Sequence, residues 1–265
     1  FQGNPVGNKY FALTDALGPM PPEPETGSRI EVERKRVPDL VPPPVVLPHG
    51  KVGNSPAGIE CDETGGKFGP FKNQLFVSEQ THSKVHRVFL EKVNGFYQGA
   101  VFPFLKGFGS GNIVARFAKD GSMFTGGTNR GWGSHGKSPF SFQRVNWTGK
   151  VPFEVHEMRV KPDGFELTFT KEADVKTLAD VASYTMETYT YIYQKGYGSP
   201  EVDGTMPVIA KATPGKDAKS VRLKVDGMVK GHVHELKMPG IRRKGGEQPL
   251  LHDAAYYTLN EIPKN

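Results

Sequence analysis

Apolar and polar residues alternate with a period of two in several parts of the chain. In 164–170 (GFELTFT), Phe165, Leu167 and Phe169 fall on one side and Glu166, Thr168 and Thr170 on the other, the mark of a half-buried strand. Residues 220–227 (SVRLKVDG) repeat the pattern, with Val221, Leu223 and Val225 opposed to Arg222 and Lys224. No helix-length window sustains the i, i+3, i+4 apolar spacing of an amphipathic helix, apart from a short turn or helix expected over 174–182. Turn signals at PDG, GYGSP, VDG, PGKD and RKGG punctuate the region. The pattern predicts an all-β protein whose 160–265 portion forms an immunoglobulin- or fibronectin-like β-sandwich of about seven short strands.

Residues 55–159 carry an internal repeat. A first set of strands is predicted at 58–62, 74–78, 85–92 and 97–104, and a second at 112–118, 122–126, 140–147 and 152–159. The last two strands of each set are joined by a tight turn, VNG in the first and TGK in the second. Four strands in roughly 50 residues, repeated, is the signature of β-propeller blades. Two blades cannot close a ring, so this partial propeller is expected to be completed by an N-terminal propeller fragment or a second chain.

Residues 1–54 read as a connecting arm that lies along something else or completes an upstream blade. The proline clusters PMPPEPETG and VPPPVVLPHG favour extended conformations, and they bracket a charged run, EVERKR, expected to be a solvated face. Phe1-Gln2-Gly3 reads as a tag remnant or an end left by proteolysis.

Composition narrows the function classes. The 34 basic and 28 acidic residues are interspersed rather than clustered, which gives no electrostatic footprint for nucleic acid. The single cysteine, Cys61, excludes an internal disulfide and any cysteine-based zinc site, and the lack of a CxxCH sequence excludes c-type haem in this chain. No apolar run approaches the roughly 18–20 residues of a membrane-spanning helix. Ser-His-Asp spacing, a Walker loop, GxGxxG and HExxH are all absent.

Three groups of residues carry candidate chemistry. The blade topology brings the loops 49–55, 80–84, 108–112 and 129–137 to one face, gathering His49, Asn54, His82, Lys84, Asn129, Arg130, Trp132, His135 and Lys137. Tyr189, Tyr191 and Tyr193 alternate on one strand face with Tyr197 just after, a row able to stack on sugar rings, although ordinary core is the stronger expectation. His232 and His234 share a strand face and would need a third ligand such as His252 to hold copper or zinc. That face continues into Leu236 and Met238, which points it inward, so no metal site is expected.

The runs GKFGPFKNQLFVSEQTHSKVHRVFLEKVNGFYQGAVFPF, TNRGWGS, PDGFELTFT, YTYIYQKGYGSPE and LLHDAAYYTLNEIP resemble the C-terminal half of large bacterial membrane-bound dehydrogenase-like proteins. These contain a propeller similar to the glucose/sorbosone dehydrogenases. The resemblance covers roughly residues 55–263. It implies two blades of a six-bladed propeller, pyrroloquinoline quinone (PQQ) and calcium as cofactors, a sugar or alditol substrate, a cytochrome c electron acceptor, and a periplasmic or cell-surface location. By loop position it implies Asn129, Arg130, Trp132 and Lys137 as quinone-binding residues and His82 or His135 as the general base, the family's own histidine lying in an earlier blade. Two other readings stand beside it: a non-catalytic module for glycan binding or scaffolding, and a sugar-active lyase or hydrolase.

Overall fold

A computed structural model describes residues 23–264 and is all-β, built from three antiparallel sheets, none closed into a barrel. The largest has eight strands in the order β1 (Pro56–Cys61), β2 (Leu75–Glu79), β3 (Lys84–Val93), β4 (Phe96–Lys106), β15 (Ala254–Leu259), β14 (His232–Lys237), β10 (Thr185–Tyr191) and β11 (Glu201–Thr205). The second runs β12 (Val208–Pro214), β13 (Ser220–Asp226), β9 (Gly164–Phe169), β8 (Val155–Lys161), and the third β5 (Asn112–Phe117), β6 (Met123–Thr128), β7 (Phe140–Val145). The predicted meander of the first repeat is β1 to β4. Its VNG turn is a two-residue hairpin loop, with Asn94 and Gly95 at φ 49° and 91° between the paired residues Val93 and Phe96. Positive φ at both loop residues is what a type I′ turn requires, and Asn-Gly supplies it at little cost.

The second repeat departs from expectation at its fourth strand. Residues 152–159 were expected to complete a blade beside 140–147, but β8 hydrogen-bonds to β9 instead. A two-residue turn, Pro162-Asp163, joins β8 to β9, so pairing there closes a far shorter loop than a return across residues 146–154 to β7. Packing favours the same choice, because Val155, Met158 and Val160 enter one core with Phe165, Leu167, Phe169, Val221 and Leu223. The sequence boundary between 159 and 160 thus falls inside β8. β4 likewise pairs with β15, carrying the first meander into the C-terminal strands as one sheet.

Two faces of the eight-stranded sheet are covered by different parts of the chain. On the inner face, Phe89, Phe102, Leu236 and Tyr257 meet the four-stranded sheet. On the outer face, the arm residues Val45, Val46, Leu47 and Val52 pack on Val77, Val88, Val101, Tyr189, Val233 and Tyr256. The Val46 amide donates to Thr258 Oγ1 at 2.8 Å, pinning the arm to β15. A third cluster (Phe68, Phe76, Phe104, Ala115, Phe117, Met123) joins the β1–β4 and β5–β7 meanders. Arg87, fully buried between the rings of Phe71 and Phe102 at 4.1 and 4.3 Å, donates to Gln74 and to the Val155 and His156 carbonyls. It ties the first meander to β8.

The charged run EVERKR differs from a plain solvated face. It forms a two-turn helix, α1 (Ile30–Arg36), in which Glu33 is buried and accepts from Ser28 Oγ, while Arg34 reaches Glu261 at 2.9 Å. A second short helix, α2 (Val175–Ala179), is capped by Asp174, whose side chain accepts from the Lys176 and Thr177 amides. Phe1–Gly3 and the start of the first proline cluster lie outside the described residues.

Candidate functional site

The four loops singled out in the sequence do converge. His135 donates its amide to the Thr81 carbonyl at 2.8 Å, Gly136 to Ser83 Oγ at 2.8 Å, and Gln80 Nε2 to the Trp132 carbonyl at 3.0 Å. Asn112 Nδ2 donates to the Lys84 carbonyl at 3.2 Å, and Ser138 to Gly109 at 2.9 Å. A Cβ at Gly136 would lie 2.6 Å from the Gly109 backbone, so the close crossing of 108–112 and 129–137 demands glycine there.

At the centre of this junction is a residue that sequence reasoning passed over. The Glu79 carboxylate, with no exposed side-chain surface, accepts from the amides of Asn54, Ser55, Thr81 and His82. Burial works to raise its pKa, but these bonds prevail and hold it below the ordinary carboxylate value. An acid at a strand end has no distinctive sequence signal; only its neighbours' backbone reveals its role. His82 Nδ1 lies 3.3 Å from Glu79 Oε2, out of line for a hydrogen bond, and the His82 and His135 rings meet edge to face at 4.8 Å. Burial lowers the His82 pKa despite Glu79, so its imidazole is neutral at pH 7.

The expected quinone residues fare unevenly. The Asn129 amide is engaged inside the loop, its Oδ1 accepting from the Gly111 amide and Ser134 Oγ and its Nδ2 donating to the Gly136 carbonyl. Arg130, Trp132 and Lys137 stand exposed, Trp132 at 66%, and line neither of the two cavities described below. For PQQ, a planar tricarboxylate, the set offers two solvated cations and one ring with no opposing wall among the described residues. These residues do not fit the quinone as they stand, and no chemical step is routed through it.

A cleft of about 590 Å³ opens beside the 49–55 loop, within the size of ordinary ligand pockets. Its floor is the outer face of the large sheet at Tyr191, Val233 and Thr258; one wall is the arm at Val45, Leu47 and His49, and the other the loop 192–199. Tyr191, Tyr193 and Tyr197 line it, with Gln194, Lys195 and Asn260 adding polar groups. The tyrosine row is thereby divided. Tyr189 is core, its ring under Lys51 Nζ at 4.2 Å and its hydroxyl donating to Glu235 at 3.1 Å. Tyr191 is half-buried at the cleft, where burial and then the nearby Glu201 carboxylate push its phenol well above the usual range. Tyr193 is buried with its hydroxyl on Glu23 at 2.7 Å, and Tyr197, flanked by Gly196 and Gly198, is 84% exposed at the mouth. Lys51 joins the arm to the sheet through Glu235 at 2.9 Å and Glu201 at 3.0 Å. A second, shallower cavity lies beside α2, lined by Glu172, Lys176, Lys216 and Lys244.

His232 and His234 do not meet His252. His234 is fully buried against Phe165 at 5.4 Å and accepts from the Val229 amide, His232 contacts Thr188, and His252 bonds Glu154 at 2.5 Å. No group of three His, Cys, Asp or Glu side chains able to hold a metal ion is present among the described residues.

No family model, curated protein or solved structure matches this chain.

Proposed function

We propose that this chain is a non-catalytic β-sheet module that binds a saccharide in the tyrosine cleft. The observation that carries the reading is the cleft itself, where Tyr191 and Tyr197 border a void of about 590 Å³ with amide, ammonium and hydroxyl groups around them. Sugars present apolar C–H faces and a girdle of hydroxyls, so a site for them combines aromatic rings with fixed polar groups. A sugar ligand is also common ground with the dehydrogenase resemblance, and an extracytoplasmic setting would suit it. Oxidation is not part of the proposal, because the loops carrying His82 and His135 spend their amides and the Asn129 side chain on one another, while Arg130 and Lys137 stand exposed outside the cleft.

The test is a panel of neutral and acidic oligosaccharides titrated against the 265-residue chain by calorimetry, beside a dye-reduction assay with PQQ and calcium on the same sugars. Saccharide binding without dye reduction or bond cleavage is expected. Turnover with no dependence on the cleft tyrosines would overturn the reading in favour of the oxidoreductase or lyase alternatives.

A further inference from the structure

The three sheets have six edge strands, and one of them differs from the rest. β1, β5, β8, β11 and β12 each pair with their neighbour through a register shift. Several also carry the residues that discourage further pairing: Pro56 in β1, Lys211 and Pro214 in β12, Glu201 and Asp203 in β11. Bulges, prolines and charges on an edge are how β proteins avoid joining edge to edge. β7 has none of the bulging: it pairs with β6 in unbroken register from Phe140 to Val145. Its outer edge hydrogen-bonds to no other strand among the described residues.

The same strand presents an unusual face. Ser141 Oγ is bonded to Ser110 Oγ and Gln143 Oε1 accepts from the Gly109 amide, which fixes those side chains inward. Phe140 and Phe142 must therefore point out, and they are 76% and 77% exposed. Phe142 stacks on Phe124 at 5.4 Å, and Arg144 lies over the Phe124 ring at 5.6 Å while paired with Asp120. The face is thus aromatic and locally neutral.

We propose that β7 pairs antiparallel with β7 of a second copy of this chain, about a two-fold axis through Phe142. The sequence is self-complementary in that register: Phe142 opposes Phe142, and each Phe140 opposes the other copy's Arg144 as ring and cation. The outward N–H and C=O groups of two such edges satisfy each other, and the two three-stranded sheets become one of six. This inference is independent of the saccharide reading.

Sedimentation equilibrium over a wide concentration range tests it. The 265-residue chain should pass from one to two copies as concentration rises, and Phe142→Lys should remain a single copy with an unchanged circular dichroism spectrum. In a Cys61→Ser background, Phe142→Cys should form a disulfide-linked dimer on mild oxidation, since residues directly opposed across an antiparallel pair have Cβ atoms roughly 4.5–5.5 Å apart. A single copy at every concentration overturns the proposal, as does a dimer that survives Phe142→Lys or a Phe142→Cys chain that does not cross-link. A single copy that co-sediments with an insoluble polysaccharide through this face also overturns it and assigns the aromatic platform to a different partner.

Discussion

The glycine-rich loop 129–137 and the tyrosine loop 192–199 look alike on paper, each a run of glycines holding aromatic and basic residues. In three dimensions they are opposites. The first directs its amides, the Asn129 side chain and neighbouring hydroxyls into hydrogen bonds that knit four loops around Glu79. The second also bonds within itself, Gln194 Nε2 donating to the Gly198 carbonyl at 2.8 Å and Ser199 Oγ accepting from the Ile192 amide at 2.9 Å, but Tyr197 and, at the end of β10, Tyr191 border a void. Aromatic and polar residues on a loop mark a site where they border a void, not where the loop closes onto its neighbours.

The sharpest way to break this contrast is at Glu79. Replacing it with alanine orphans four backbone amides, each a buried donor, and should cost about 2–4 kcal/mol in a denaturant melt. The Asn54 carbonyl accepts from the Tyr197 hydroxyl at 3.5 Å, so saccharide affinity should also weaken as the 49–55 loop loosens. A Glu79→Ala chain with wild-type stability would show that the loops are not held by this carboxylate and would reopen the site there.

Acid titration adds a second comparison, between buried imidazoles on the two sides of the sheet. Burial lowers His86, behind the loops, to about 4 and His234, against Phe165 between the two larger sheets, to about 3. Both stay neutral in the folded chain while the unfolded chain takes up their protons near 6.5, so their contribution is present above pH 6.5 and is lost as pH falls toward 4. The unfolding free energy should decline by at most about 1.4 kcal/mol per pH unit for each histidine over that window. His86→Leu should flatten part of the slope; a slope unaffected by it would mean His86 is hydrated or paired in solution.

Much of the fold was legible in the sequence and some was not, for reasons particular residues make plain. The alternation in 164–169 and 220–226 and the Asn94-Gly95 turn are local signals, and β9, β13 and the β3–β4 hairpin follow them. The choice of β9 rather than β7 as the partner of β8, and the join of β4 to β15, depend on Met158, Phe102 and Tyr257 meeting in one core, which no local pattern encodes. Convergence of the loops was readable by aligning the repeats, but Glu79 was not, because its partners are backbone amides. The tyrosine row was expected to be core, and Tyr189 and Tyr193 are buried; Tyr191 is half-buried at the edge of the outer cluster, and Tyr197 lies beyond the strand on the exposed loop.

The smallest effect should come from the residues that first drew attention. Arg130→Ala and Lys137→Ala remove exposed cations that line neither cavity, and should shift stability by less than about 0.5 kcal/mol and leave saccharide binding intact. A large loss of binding in either would put the ligand on the loop face.

The central claim is tested most directly by calorimetric titration of the best-binding oligosaccharide into the wild-type chain and into Tyr197→Ala. Tyr197 is exposed, so its removal should leave the melting temperature unchanged while weakening binding about tenfold, the loss of one ring stacked on a sugar. Equal affinity in the two chains would contradict the assignment of the tyrosine cleft as the site.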